Sequence, residues 1–153
     1  MTRINVIPPS KLTDQHAMAE YRELPMVNAS LRRTLDSKSG LVKGRIPKNY
    51  TLNKGHVTFH YDKGLYLLNR YHSLIAELRM RGYNMKPEER VIDWTVFQRA
   101  EGLWQDWVPN SVDLAVNVAR VVERIRSKPS WYRYYGTSIS DNFVDVNYGN
   151  AVQ

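Results

Sequence analysis

The first residues of the chain are of types that can carry out amine chemistry. If the initiator Met1 is removed, Thr2 supplies a free α-amino group. The unperturbed pKa of such an amine is about 7.7–8.0, against about 10.4 for lysine, so more of it is uncharged at neutral pH. An uncharged amine can attack a carbon atom and form an imine. Thr2 alone does not establish this chemistry, because every chain has a second residue.

A helix predicted just after this segment would gather polar residues on one face. Thr13 is a suitable N-cap, and Asp14 suits the positive end of a helix dipole. A stripe of residues at alternating steps of four and three predicts the buried face: Ala17, Tyr21, Leu24, Asn28, Leu31 and Leu35. The other side carries Gln15, His16, Arg22, Glu23 and Met26. We expect this polar side to be the working face.

Pro25 lies inside this predicted helix. Proline has no backbone N–H and pushes against the carbonyl four residues earlier, here that of Tyr21, so we expect a kink. The kink either fits the helix to its neighbours or also presents Glu23 towards the N-terminal arm. The sequence leaves both interpretations open.

The elements that must position these residues follow from patterning. Residues 2–12, with Ile4, Val6 and Ile7, predict an extended arm pinned against the helices. A second helix is predicted to start at Asp62 as cap and to stop at Gly82, with this core face: Leu65, Leu68, Tyr71, Ile75 and Leu78. A third is predicted over 111–127, ended by Pro129, with this inward face: Leu114, Val118, Val121 and Ile125.

The remaining segments are predicted to be irregular. Residues 37–61 contain five basic residues and no acidic one, which suits a loop that tracks phosphates or a merely solvated loop. Within it, 56–61 is expected to be buried irregular chain. Residues 84–109 are interpreted as an insertion covering the core, opened by a short helix at Pro87. Residues 137–153 are expected to form a flexible tail.

Composition narrows the class of function. The chain has 153 residues, a net charge of +7 and a pI near 9.7, which favours a single domain with a polyanionic partner such as nucleic acid. Without cysteine there is no disulfide, thiolate nucleophile or cysteine-ligated zinc, and the four histidines lack a recognised metal-ligand spacing. We therefore expect no metal site. With no apolar run of membrane-spanning length and no signal-peptide core, we expect a soluble cytoplasmic protein.

Three separated segments resemble the bacteriophage pyrimidine-dimer DNA glycosylases with AP-lyase activity, the phage endonuclease V family. They are TRINVIPPSKLTDQHAMAEYRELPMV at the start, GHVTFHYDK at 55–63 and KPSWYRYYG at 128–136. The resemblance implies an all-α fold: a single compact domain over residues 1–136, with three main helices, an N-terminal arm packed between them and long irregular loops. It also implies a monomer that acts without a cofactor.

The implied activity belongs to base excision repair. The partner is double-stranded DNA containing ultraviolet-induced pyrimidine dimers or abasic sites; the base is excised through an imine to the Thr2 α-amine, and β-elimination nicks the strand. Glu23 matches the family's catalytic carboxylate. The remaining matched positions are implied to bind DNA: Arg3, Gln15, His16, Arg22, Arg120, Arg124, Trp131, Tyr132, Arg133 and Tyr134. From residue types alone, the WYRYYG segment fits core packing and DNA contact equally well.

Met26 departs from the family pattern, since the phage proteins have an arginine after the matching proline. One phosphate contact is therefore expected to be missing unless another basic residue compensates. Two alternatives remain open: a non-catalytic basic DNA-binding module, and an AP lyase that lacks dimer glycosylase activity.

Overall fold

Helices account for nearly all the regular structure of the chain. The structure, a computed structural model, describes residues 3–152 and the side chains of 3–149. The α-helices are α1 (Asp14–Glu23), α2 (Met26–Asp36), α3 (His56–Phe59), α4 (Gly64–Met80), α5 (Ser111–Ser127) and α6 (Phe143–Val152). Short strands β1 (Arg133–Tyr134) and β2 (Thr137–Ser138) form an antiparallel hairpin. Single 3-10 turns occur at Pro9–Lys11, Lys43–Arg45, His60–Asp62, Pro87–Glu89 and Thr95–Gln98. The all-α prediction is confirmed.

The chain bends at Pro25 as predicted, and the bend divides the first predicted helix into α1 and α2. The prediction of three main helices is therefore not confirmed. The start is as predicted, because Thr13 Oγ1 accepts a hydrogen bond from the His16 amide at 3.2 Å. Pro25 cannot donate to the Tyr21 carbonyl. The guanidinium of Arg90 donates to that oxygen instead, at 2.7 Å, and to the Arg22 carbonyl at 2.8 Å. Arg90 thus stabilises the bend, although it lies 69 and 68 positions from these two carbonyls in sequence.

The predicted cap of α4 at Asp62 is wrong. Asp62 lies in the preceding 3-10 turn and pairs with Lys63, and α4 begins at Gly64 without a side-chain cap. The amide of Gly64 donates instead to the carbonyl of Leu103 at 3.0 Å. This close approach requires glycine, since a Cβ at Gly64 would lie 2.5 Å from the ring of Phe97.

The buried face of α4 also differs from the prediction. Leu65 and Leu68 are only partly buried, while Leu67 and Leu74 are fully buried beside Tyr71, Ile75 and Leu78. The end of the helix is as predicted: Gly82 has φ +94°, and the amides of Gly82 and Tyr83 bond back to the carbonyls of Arg79 and Leu78.

Helix α5 has the predicted bounds, with Val118, Val121 and Ile125 buried and Leu114 half-buried. The segment after α4 opens with the predicted turn at Pro87, but it does more than cover the core. Three side chains of this segment, those of Val96, Phe97 and Leu103, are fully buried and form part of the main core.

Two segments are more ordered than their composition indicates. Residues 56–61 are buried as predicted but helical rather than irregular, in α3 and the turn that follows. The predicted flexible tail instead forms β2 and α6. Phe143, Val144 and Tyr148 are buried against α5 and the arm, and the Tyr148 hydroxyl donates to the carbonyl of Lys11. Burial of these apolar side chains offsets the loss of chain entropy.

The arm is packed between helices, as predicted. Ile4, Ile7 and Leu12 are fully buried in the main core, where α1 packs against α4 and α5 against α6. Among the described residues, no helix is long and apolar enough to cross a membrane.

Candidate active site

One cleft gathers predicted site residues from both ends of the chain. Its volume is about 170 Å³. One side, here called the arm wall, comes from the arm and α1: Arg3, Asn5, His16, Ala19, Glu20 and Glu23. The other, here called the basic wall, comes from α5 and the segment after it: Arg120, Val121, Arg124 and Tyr132. Six of the predicted site residues therefore meet here, namely Arg3, His16, Glu23, Arg120, Arg124 and Tyr132.

Glu23 binds the backbone of the arm at its first described residue. Its Oε2 accepts a hydrogen bond from the Arg3 amide at 3.1 Å. Glu23 is the last residue of α1, so the bend at Pro25 ends the helix where this carboxylate meets the arm. Thr2 lies outside the described residues.

Positive charge surrounds this carboxylate. Burial, followed by the charges of Arg120 and Arg124, lowers the pKa of the Arg3 guanidinium. The chain around residues 52–53 holds two of these arginines: Arg3 Nη1 donates to the Leu52 carbonyl at 3.2 Å, and Arg120 Nη2 to Asn53 Oδ1 at 3.0 Å. Such a cluster suits a polyanion.

His16 is neutral at physiological pH. Burial, then the charges of Arg124 and Arg3, lowers its pKa to about 4. Its ring stacks on Tyr132 with centroids 4.7 Å apart and planes 3° apart. Its Nδ1 lies 2.6 Å from Thr13 Oγ1. The stack joins α1 to the segment after α5, and both residues line the cleft.

Gln15 also joins these two segments. Its Nε2 donates to the carbonyl of Trp131 at 2.7 Å, and its Oε1 accepts from the Arg133 amide at 2.9 Å. Gln15 is thus engaged in fixing the hairpin's approach to α1.

The remaining predicted residues lie outside the cleft lining. The Trp131 side chain is 52% exposed beside Lys128, whose Nζ is 4.9 Å from its ring centroid. Arg22 and Arg133 are exposed. Tyr134 packs on the core, and its hydroxyl donates to the carbonyl of Ser10 at 2.8 Å. Of the two roles that its composition allows, core packing is confirmed for Tyr132 and Tyr134. Trp131 faces solvent, and contact of this segment with DNA stays a prediction.

A buried polar network behind the arm wall was not predicted. Asn5 Nδ2 donates to Glu20 Oε1 at 2.8 Å, and Glu20 forms a bidentate ion pair with Arg70 at 2.7 and 2.9 Å. Asn117 Nδ2 donates to Asn5 Oδ1 at 2.8 Å. Removing one partner of a buried ion pair typically lowers the free energy of unfolding by about 3–5 kcal/mol, because the other charge stays buried without compensation. We therefore expect a change at any one of these groups to affect the others. The sequence pattern that could have revealed this network is a polar residue on an otherwise apolar helix face, Glu20 on α1 and Asn117 on α5.

His56 and Tyr50 hold the arm backbone from a third direction. His56 Nε2 accepts from the Ile4 amide at 2.8 Å, while Nδ1 lies 2.6 Å from the Thr51 carbonyl, which fixes the proton on Nδ1. Burial lowers the pKa of His56 to about 4, so the acceptor nitrogen stays unprotonated at neutral pH. The Tyr50 hydroxyl donates to the Ile4 carbonyl at 2.7 Å.

Volume alone does not single out this cleft. A groove of about 270 Å³ lies between the arm, α5 and α6, and another of about 410 Å³ lies beside the loop after α2. Neither contains any of the predicted site residues. Among the described side chains, no group of three His, Asp or Glu is placed to hold a metal ion.

A family model provides an independent comparison. The model described as pyrimidine dimer DNA glycosylase matches residues 1–90, which is more than half of the chain. The match includes every residue of the arm wall and ends before the basic wall.

Proposed function

The chain belongs to the pyrimidine dimer DNA glycosylase family, and we propose that it excises ultraviolet-induced cyclobutane pyrimidine dimers from double-stranded DNA and then nicks the strand at the abasic site. The family supports a role in DNA repair. The proposal adds the chemical route, in which the α-amine of Thr2 is the nucleophile.

The hydrogen bond from the Arg3 amide to Glu23 carries this proposal. The α-nitrogen of residue 2 is three covalent bonds from the Arg3 amide nitrogen, so a carboxylate held on that amide remains close to the amine. A negative charge beside the reacting nitrogen can stabilise a cationic sugar and relay protons. An exposed glutamate elsewhere on α1 would have neither property.

In the first step, the uncharged amine attacks C1′ of the 5′ nucleotide of the dimer. The N–C1′ bond forms while the bond from C1′ to the base breaks, and the base leaves with the electron pair. The nitrogen then loses a proton, and its electron pair forms the C1′=N bond as the C1′–O4′ bond breaks and O4′ takes up a proton. The product is a protonated imine between Thr2 and C1′ of the opened sugar. Covalent catalysis of this kind divides one difficult step into two easier ones.

In the second step, a proton is removed from C2′ and the imine nitrogen accepts the resulting electron density. β-Elimination breaks the C3′–O3′ bond and releases the 3′ strand with its phosphate. Water then hydrolyses the imine and regenerates the amine. Glu23 is the proposed proton relay.

The cationic residues are proposed to hold the substrate. Arg3, Arg120 and Arg124 suit phosphates on either side of the lesion, with Arg22 and Arg133 as exposed cations nearby in sequence. Exposed Trp131 offers an aromatic face for a base, and the His16–Tyr132 stack and Gln15 order the contact region. A dimer already weakens stacking and pairing, which lowers the cost of unpairing and helps selection.

Met26 favours one second candidate, an AP lyase without dimer glycosylase activity. The Met26 side chain is 53% exposed, at a position where the phage proteins have arginine. This candidate predicts cleavage of abasic DNA but not of irradiated DNA.

Borohydride trapping tests the proposal. Protein that starts at Thr2 is incubated with abasic duplex and with irradiated duplex, because reduction converts only an imine into a stable crosslink. Crosslinks to both substrates are expected. A crosslink to abasic DNA alone would favour the lyase, and salt-sensitive binding without any crosslink would leave a non-catalytic DNA-binding module.

A further inference from the structure

Asn117 connects α5 to the N-terminal arm through every polar atom of its side chain. Its Oδ1 accepts from two consecutive amides, Val6 at 2.7 Å and Ile7 at 3.1 Å. Its Nδ2 donates to Asn5 Oδ1 at 2.8 Å. The side chain is 1% exposed, so it lies behind the cleft and does not face a substrate.

The chemistry of its partners fixes the orientation of this amide. Two N–H donors require an oxygen, and Asn5 Oδ1 requires a donor. Asn5 is itself oriented, because its Nδ2 donates to the carboxylate of Glu20, and Glu20 is held by Arg70. Sliding the arm by one residue would leave buried donors and acceptors unpaired, which is costly. The arm therefore has one register.

That register determines where the chain emerges into the cleft. From Ile7 back to Ile4, the arm is held by Asn117 on α5, by Glu20 on α1 and by His56 on α3. The next residue, Arg3, is where Glu23 accepts its hydrogen bond. An amine at the end of an unheld segment would sample many positions. A misplacement of about 1 Å can cost about 10²-fold in rate.

We propose that Asn117 is a positioning residue, which holds the arm in the one register that brings the Arg3 amide to Glu23, the contact on which the proposed amine chemistry depends. This inference rests on the function proposed above. It predicts that loss of Asn117 slows imine formation while leaving the DNA affinity nearly unchanged.

The test compares Asn117→Ser with Asn28→Ser. Asn28 is also a buried asparagine, 4% exposed, so it matches Asn117 in residue type and burial. Its Nδ2 donates at 3.1 Å to the carbonyl of Asp93, which lies outside the arm. The rate of borohydride crosslinking to abasic duplex is measured at saturating protein, with the dissociation constant and melting temperature measured separately.

We expect Asn117→Ser to slow crosslinking by about 10- to 100-fold, with a dissociation constant within about threefold of the parental one. Asn28→Ser is expected to lower the melting temperature comparably and to crosslink at close to the parental rate. A parental crosslinking rate in Asn117→Ser, or an equal slowing in Asn28→Ser, would overturn the positioning role.

Asn5→Ser provides a second variant if Asn117→Ser does not fold. It removes the bonds of Asn5 to Asn117 Nδ2 and to Glu20 but leaves the bonds of Asn117 to the Val6 and Ile7 amides, so we expect a slowing of about 3- to 10-fold. A parental rate there would also overturn the proposal. If the parental protein itself forms no crosslink, the proposed function fails. If the parental protein crosslinks but Asn117→Ser is not selectively slowed, only the positioning role fails.

Discussion

The two walls of the cleft are built in different ways. In the arm wall, Asn5 and Glu20 are almost completely buried and bound to other buried groups. In the basic wall, Arg124 is exposed and Arg120 is half-buried, and Arg120 contacts the exposed residues Asn53 and Glu123. The polar groups Asn5 and Glu20 of the arm wall bond to buried partners, whereas the arginines of the basic wall reach solvent.

The difference matches two different demands. Covalent chemistry requires the reacting atoms to be held in a near-attack geometry, so its supporting groups are expected to be buried and mutually bonded. Phosphate binding requires positive charge within reach of a polyanion and tolerates side-chain movement. We therefore expect changes in the arm wall to affect rate and changes in the basic wall to affect affinity.

The strongest disruption of the arm wall would be to block the amine that it is proposed to present. Retaining Met1, or acetylating the α-amine of Thr2, places the nitrogen in an amide that cannot form an imine. Crosslinking should be abolished while most of the DNA binding remains. Thr2→Ser is the control, because it keeps the amine, and it should crosslink far better than the blocked protein. Full activity of the blocked protein would exclude this mechanism.

The next largest effect is expected at Glu23. Glu23→Gln keeps the size of the side chain but removes the charge that opposes a cationic sugar, and such a loss typically costs about 10²–10³ in rate. Binding should be unchanged or tighter, because a negative charge facing phosphates is removed. Single-turnover cleavage of irradiated duplex measures the rate, and titration with labelled duplex measures the affinity. A parental rate would make Glu23 an ordinary surface glutamate.

The contact of His56 with the arm should also weaken in acid. The pKa of His56 is about 4 in the folded protein against 6.5 in an unfolded chain, so between these values the unfolded state binds more protons. The stabilisation that neutral His56 contributes is therefore complete above pH 6.5 and is lost as the pH falls towards 4. The free energy of unfolding falls by up to about 1.4 kcal/mol per pH unit from this group.

Urea unfolding at pH 7 and pH 5 measures this effect. The free energy of unfolding should fall less between pH 7 and pH 5 in His56→Gln than in the parental protein. Glutamine keeps an acceptor for the Ile4 amide but does not titrate. His72→Gln, at an exposed site, serves as the control and should keep the parental difference. An unchanged difference in His56→Gln would show that protonation of His56 does not loosen the fold.

The smallest effect is expected in the basic wall. Arg124→Gln should weaken DNA binding several-fold and reduce the slope of log affinity against log salt by about 0.9, because one phosphate contact is lost. The single-turnover rate at saturating protein should hardly change. Arg126→Gln removes a similar exposed charge from the same helix but outside the cleft lining, and its effect should be smaller. Equal effects of the two variants would mean that only net charge matters.

Local patterns predicted much of the fold. The cap at Thr13, the stop at Gly82 and the bounds of α5 depend on hydrogen bonds within a few residues of each other, and each is confirmed. The cap at Asp62 was wrong because α4 takes its partner from Leu103, which no local pattern can reveal. Likewise, α6 forms because Phe143 and Tyr148 find a distant core to pack on.

By itself, the sequence determined the apolar stripes of α1, α2 and α5, the polar face of α1, the basic character and, through the match over residues 1–90, the family. Only the tertiary structure brought Arg3, Glu23 and Arg124 to one cleft and set Asn117 against the arm. The physical reason is that periodicity records which side of a helix is apolar, not which distant group meets it. A buried amide and the backbone it binds can be more than a hundred residues apart, and their pairing is decided when the whole chain packs.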